Sequence, residues 1–143
     1  MQSTHVTRSE SATEALGAAL WKTLKQRDCV LLEAPLGTGK TALARGMVRA
    51  AGHVGEVPSP SYAIIQPYMT EPPLYHVDLY RLNSLEELEE LGLHDMLDLG
   101  IVVVEWPERA GGWPGDAVRV VGRITAEGER EWQVERADDG QGD

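Results

Sequence analysis

Eight consecutive residues, Ala34-Pro35-Leu36-Gly37-Thr38-Gly39-Lys40-Thr41, carry the most specific chemistry in the chain. Gly37 and Gly39 let the backbone curl until successive N–H groups face inward. A helix beginning near Lys40 adds the positive end of its dipole, and the whole forms a nest for phosphate groups. In such a loop Thr38 and Ala42 lie alongside the phosphates, Lys40 reaches the terminal ones, and the Thr41 hydroxyl is a ligand for Mg²⁺. A glycine-rich turn with a solvated lysine would have no reason to fall, as this one does, between a strand-forming run and a helix-forming run. One departure stands out: Ala34 occupies the position where the pattern starts with glycine. Alanine resists positive φ, so the turn must begin in ordinary backbone geometry.

A phosphate loop of this kind needs a carboxylate at the end of a neighbouring apolar strand to hold its metal. Two residues qualify. Glu105 follows Ile101-Val102-Val103-Val104, and Asp78 follows Leu74-Tyr75-His76-Val77. Glu105 has the cleaner strand before it and is expected to be the metal residue, leaving Asp78 to orient or deprotonate an attacking water. On the sequence alone the two roles are exchangeable. Ser59-Pro60-Ser61-Tyr62 lies where a γ-phosphate-sensing segment would sit, and Ser59 or Ser61 offers the hydroxyl; a proline-stiffened turn explains the same residues equally well. His76 reads as a packed strand histidine, and Trp106 as a core residue with an edge toward the site. ATP is the expected nucleotide, favoured by elimination. A guanine-reading Asn-Lys-x-Asp loop is impossible in a chain whose one asparagine, Asn83, is followed by Ser84.

The elements that must position these groups alternate in character. Ser11-Ala12-Thr13-Glu14 reads as a capping box opening a helix to about Arg27, with Leu16, Ala19, Leu20 and Leu24 on its inner face. Cys29 to Ala34 fits a buried parallel strand, and Thr41 to about Ala51 a helix. Strands follow at Tyr62–Ile65 and Leu74–Tyr80, separated by Pro67, Pro72 and Pro73. Ser84-Leu85-Glu86-Glu87 opens an acidic helix with Leu85, Leu88 and Leu91 facing inward. Ile101–Val104 is the strongest strand, and Val118–Thr125 with Arg130–Val134 forms a terminal hairpin around Gly128. The expected architecture is α/β: a three-layer α/β/α arrangement of P-loop NTPase type, with a mostly parallel central sheet and a C-terminal β-hairpin. It spans 1–136 as a single domain, with 137–143 as a disordered acidic tail.

Composition bounds what such a domain can do. The 143 residues are 42% hydrophobic and 25% charged, suited to one domain. A single cysteine excludes an internal disulfide, and no apolar run approaches the roughly 18 residues of a membrane helix. A cytoplasmic protein without membrane contact is expected. Acids outnumber bases 23 to 13, for a net charge of -10, which disfavours direct binding to a nucleic-acid backbone. That charge is local. It resides in residues 84–100, which hold six acids and no Lys or Arg, and in residues 127–143, leaving the rest of the chain near neutral.

Taken in order, Leu36–Thr41, Ser59–Tyr62, His76-Val77-Asp78-Leu79-Tyr80-Arg81-Leu82 and Val104-Glu105-Trp106-Pro107-Glu108-Arg109 closely resemble the TsaE family, small bacterial P-loop ATPases of tRNA threonylcarbamoyladenosine (t6A) biosynthesis. The resemblance covers about Glu10 to Glu135. It implies slow ATP hydrolysis by the isolated subunit and binding to a TsaB–TsaD pair, whose cycles of threonylcarbamoyl transfer to tRNA position 37 it supports. By matching position, Thr41 and Glu105 would bind Mg²⁺, Lys40 the phosphates, and Asp78 would serve hydrolysis. The segment around Glu10 and Thr13, with the hairpin near Arg130, would line the adenine pocket. The chain departs from the family in having Ala34-Pro35 where Gly and an acidic residue are usual, and Ser61 for the usual Thr. A small-molecule kinase is the competing reading, weakened because the natural lid segment, 84–100, has no basic residue. A nucleotide-gated binding module is the third. If the subunit acts on a protein complex, with tRNA reached only indirectly, the acidic helix bearing Glu86, Glu87, Glu89 and Glu90 becomes a candidate docking face.

Overall fold

The two most apolar strands, Cys29–Glu33 and Ile101–Glu105, lie side by side within a seven-stranded sheet, where both faces are covered. The computed structural model describes residues 2–35, 37–57, 65–81, 84–110, 113 and 116–136. In chain order the elements are β1 (Gln2–Thr7), α1 (Glu10–Trp21), β2 (Cys29–Glu33), α2 (Lys40–Ala50), β3 (Ile65–Tyr68), β4 (Leu74–Asp78), α3 (Leu85–Glu90), α4 (Leu93–Leu99), β5 (Ile101–Glu105), a 3-10 turn (Pro107–Ala110), β6 (Val118–Ile124) and β7 (Arg130–Glu135). The sheet order is β1-β7-β6-β2-β5-β4-β3. The middle strands β6, β2, β5 and β4 run parallel. Antiparallel strands close both sides: β3 beside β4, and β7 then β1 beside β6. This is the mixed α/β fold with a parallel middle and a terminal hairpin.

Alternation along the inner strands divides the core in two. Val30, Leu32, Ile101 and Val103 meet Leu20, Trp21, Leu43, Met47 and Val48 of α1 and α2 on one face. Cys29, Leu31, Val102 and Val104 meet Leu88, Leu93 and Met96 of α3 and α4 on the other. The α1–α2 crossing is close because it is made through glycine. A Cβ at Gly17 would lie 2.1 Å from the Leu43 carbonyl oxygen, and one at Gly46 2.0 Å from that of Glu14.

Several boundaries differ from the sequence expectation, each for a local reason. The cap of α1 is Ser9, not Ser11; its backbone is extended and its hydroxyl accepts the Ala12 amide at 3.0 Å, because the chain leaves β1 and turns there. The helix ends at Trp21 rather than Arg27, Arg27 itself having φ 82, and Ala19 is exposed while Thr13, Gly17, Leu20 and Trp21 face inward. The single acidic helix is two, divided at Gly92 with φ 100, and Leu91 is 46% exposed instead of inward. β4 stops at Asp78, whose Oδ1 accepts the Tyr80 amide at 2.9 Å and turns the chain. Pro67 lies within β3, where an edge strand tolerates its missing N–H. β1 was not expected: its polar sequence has no clear alternation, yet it pairs with β7 from Gln2↔Glu135 to Thr7↔Arg130. The strand expected from Tyr62 is described only from Ile65, and the tail at 137–143 lies outside the described residues.

Candidate functional site

The carboxyl ends of the parallel strands open onto one cavity of about 540 Å³. That is where open α/β sheets bind ligands. β2 leaves its strand through Ala34 and Pro35 and enters α2 at Lys40. The positive φ angles of the connection fall on Gly37 (83°) and Gly39 (112°), and not on Ala34. Thr38 is fully buried, with its hydroxyl donating to the Pro35 carbonyl at 2.8 Å. Gly39 caps α2 without a side chain, so the helix's first amides remain free to face the cavity. The loop rests on the Trp132 ring and the Thr13 methyl, 3.7 and 3.8 Å from where a Gly39 Cβ would stand.

Lys40 is 6% exposed, and its Nζ has no hydrogen-bond partner among the described residues. The ammonium sits 3.6 Å from the centre of the Trp106 ring, which is held at φ 59 and meets Tyr80 edge-on. Burial lowers the lysine pKa from 10.5, against the raising influence of Glu105, Glu108 and Asp78. A buried cation without a hydrogen-bonding partner is costly, and a phosphate in the cavity would supply one.

Asp78 and Glu105 are register partners at the ends of β4 and β5, reinforced by a Leu79 amide bond to the Glu105 carbonyl at 3.0 Å. Asp78 is half-buried; Glu105 is buried and its Oε2 lies 2.6 Å from His76 Nε2. Among the described residues no three His, Cys, Asp or Glu side chains converge as a metal cage. The residues that could hold a cation are the Glu105 carboxylate and the Thr41 hydroxyl, with Asp78 beside Glu105. That suits Mg²⁺, which takes one or two carboxylates and completes its shell with phosphates and water.

The far wall comes from both ends of the chain. Trp132 Nε1 donates to the Thr7 hydroxyl (3.2 Å), Thr7 to Thr13 (2.8 Å), and Thr13 to the Ser9 carbonyl (3.1 Å), a buried relay that fixes the start of α1. Arg130 donates from Nε to the Thr38 carbonyl at 3.1 Å and from Nη1 to Gly128 at 2.9 Å, tying the hairpin to the phosphate loop. Glu10 lines the cavity and accepts from Arg45 at 3.1 Å, and Arg8 pairs with Glu129 across the rim.

The cavity thus gathers Gly37, Thr38, Gly39, Lys40, Thr41, Ala42, Asp78, Glu105, Glu10 and Arg130. Ser59 and Ser61 lie outside the described residues. Thr7, Arg8 and Arg45 also line the cavity without having been singled out. Thr7 carries no local signal, since only pairing of the polar β1 with β7 brings it here. The His76–Glu105 contact was legible only as two residues of like-facing parity on neighbouring strands.

A glycine-turned loop between β2 and α2, with paired carboxylates at the ends of adjacent parallel strands, defines an α/β protein of P-loop NTPase type. The sequence profile described as threonylcarbamoyl adenosine biosynthesis protein TsaE matches residues 7–134, and the chain belongs to that family. The tRNA threonylcarbamoyladenosine biosynthesis protein TsaE of Treponema pallidum is 34% identical over 131 residues, covering 90% of this chain and 97% of that protein. The protein of the same name from Synechocystis is 42% identical over 104 residues, covering 69% of this chain and 66% of its own length. The crystal structure of Bacillus subtilis YdiB superposes with a TM-score of 0.80 at 27% identity, covering 97% of this chain and 88% of that one. No helix among the described residues is long and apolar enough to cross a membrane.

Proposed function

We propose that this chain is an ATPase subunit of the machinery that forms t6A at position 37 of tRNA. It binds ATP with Mg²⁺ and hydrolyses it to support cycles of threonylcarbamoyl transfer by a TsaB–TsaD complex. The observation that carries the reading is Lys40: a buried ammonium without a hydrogen-bonding partner among the described residues, at the start of α2, beside Asp78 and Glu105. The family's description and its relatives' names support the pathway.

The amides of Gly37 and of Gly39 to Thr41 hold the phosphate oxygens, while that of Thr38 donates to the Pro35 carbonyl, and Lys40 leaves the Trp106 ring to meet the charge that develops on the terminal phosphate. Thr41 and Glu105 would hold Mg²⁺, which would supply neutralisation of phosphate charge there. Asp78 orients a water for in-line attack on the γ-phosphorus and accepts its proton as the bond to the β-phosphate oxygen breaks and ADP departs. Arg130 keeps Thr38 in place. Glu10, Thr13 and the hairpin form the wall expected to take the adenine.

Residues 84–100 bear on the partner question. They fold as α3 and α4 against the sheet face opposite α1 and α2, and contribute nothing to the cavity lining among the described residues. That removes the obvious lid for a kinase. Glu86, Glu89 and Glu90 are exposed, as are Leu91 and Leu99, which supports a protein-docking role for this layer.

The test is ATP turnover by the purified chain with and without reconstituted TsaB–TsaD. Feeble hydrolysis alone and stimulation by the complex are expected. Vigorous phosphate transfer to a free metabolite without partners would overturn the reading.

A further inference from the structure

We infer that His76 is a positioning residue that fixes the Glu105 carboxylate for the metal; the inference rests on the metal role proposed for Glu105. β4 and β5 are parallel, with His76 opposite Val103 and Asp78 opposite Glu105. Residues two apart share a face, so His76, Asp78 and Glu105 project to the same side, and His76 reaches Glu105 diagonally. The imidazole is 1% exposed and the carboxylate residue 6%. Their Nε2–Oε2 separation is 2.6 Å, a short hydrogen bond between imidazole and carboxylate.

An ionised carboxylate only accepts, so Nε2 carries the proton. Nδ1 is buried with no partner among the described residues. With the proton on Nε2, Nδ1 holds only an unpaired lone pair; a single proton on Nδ1 would strand a donor there and leave Nε2 facing the carboxylate without one. Leucine would fill this position without burying any polar atom. What the histidine adds is specific: it ties one oxygen of Glu105, a residue that lines the cavity. Supports of this kind typically contribute about 10–100-fold to metal affinity.

The experiment measures ADP binding to the full chain by calorimetry, in Mg²⁺ and in EDTA. The wild-type protein is expected to bind more tightly with Mg²⁺. His76→Leu should lose that gain, by up to about 10–100-fold, with its affinity in EDTA unchanged. His76→Gln, whose side-chain amide can donate from a similar place, should recover most of it. A folded His76→Leu protein with the full wild-type gain would overturn the inference. Absence of any Mg²⁺ gain in the wild type would instead strike the metal reading of Glu105 itself. Nitrogen NMR of the wild-type imidazole decides the matter even if the leucine variant does not fold. Protonation at Nε2, perturbed in Glu105→Gln, is expected, and protonation at Nδ1 overturns the inference.

Discussion

On one face of the sheet α1 and α2 cross so closely that a methyl group at Gly46 would lie 2.0 Å from a backbone oxygen. On the other, α3 and α4 are 6 and 7 residues long, break at Gly92 and present a row of acids to solvent. The first layer also carries the buried polar groups: Lys40, Thr38, the Thr7–Thr13 pair, and His76 with Glu105 beneath it. The second is apolar where it touches the sheet. The difference follows from what each side must hold. Groups kept from water in a charged or hydrogen-bonding state need a frame that cannot relax around them, and backbone-to-backbone packing provides one. A surface that meets another protein needs only an anchored inner side and an accessible outer one.

The comparison can be broken most directly at Lys40. Lys40→Met should lower ATP turnover by about 10²–10³-fold, the usual scale for removing a preorganised electrostatic contact. It should not lower the melting temperature, because a buried cation is replaced by an apolar chain of similar length. The pH dependence sharpens this. Burial holds the folded-state pKa below 10.5, so between the folded and unfolded values the unfolded chain binds more protons. Wild-type stability, measured relative to Lys40→Met, should therefore rise as pH climbs toward 10.5. A flat difference would mean the ammonium is well solvated.

Gly46→Ala tests the frame itself. Its methyl meets the Glu14 oxygen, carbon and Cα within 3 Å, so a loss of about 3 kcal/mol is expected in denaturant unfolding, with weakened nucleotide binding. Gly92→Ala is the matching change in the second layer. Nothing lies within 4 Å of the added methyl, and only the left-handed backbone at φ 100 opposes it, for about 1–2 kcal/mol and unchanged nucleotide affinity. Equal losses at the two glycines would erase the distinction. Smallest in stability is charge reversal at Glu86, Glu89 and Glu90: less than about 0.5 kcal/mol per residue, but loss of TsaB–TsaD binding in a pull-down. Intact binding would dispose of the docking role.

The same division explains what could be read in advance. The strand-loop-helix around Gly37–Thr41 and the carboxylates ending β4 and β5 are local patterns, visible in a window of a dozen residues. Thr7 is not, because β1 is a polar edge strand whose place depends on a partner more than 120 residues away (Thr7↔Arg130). Leu91 has helical spacing from Leu88, and only the left-handed turn at Gly92 removes it from the core. Ser9 lost to Ser11 as the expected cap because the latter is followed three residues on by Glu14, a motif outweighed by the exit from β1.

The pairing of the first strand with the last has a consequence for how the protein is made. The phosphate loop is translated well before Trp132 and Arg130, against which Gly39 and Thr38 rest; Arg130 lies 92 residues after Thr38. Contacts of such long sequence separation form late, after the loop-closure entropy has been overcome. A chain still being synthesised therefore holds a phosphate loop with no backstop and a pocket with one wall missing. ATP has its finished site only once the β6–β7 hairpin has been made.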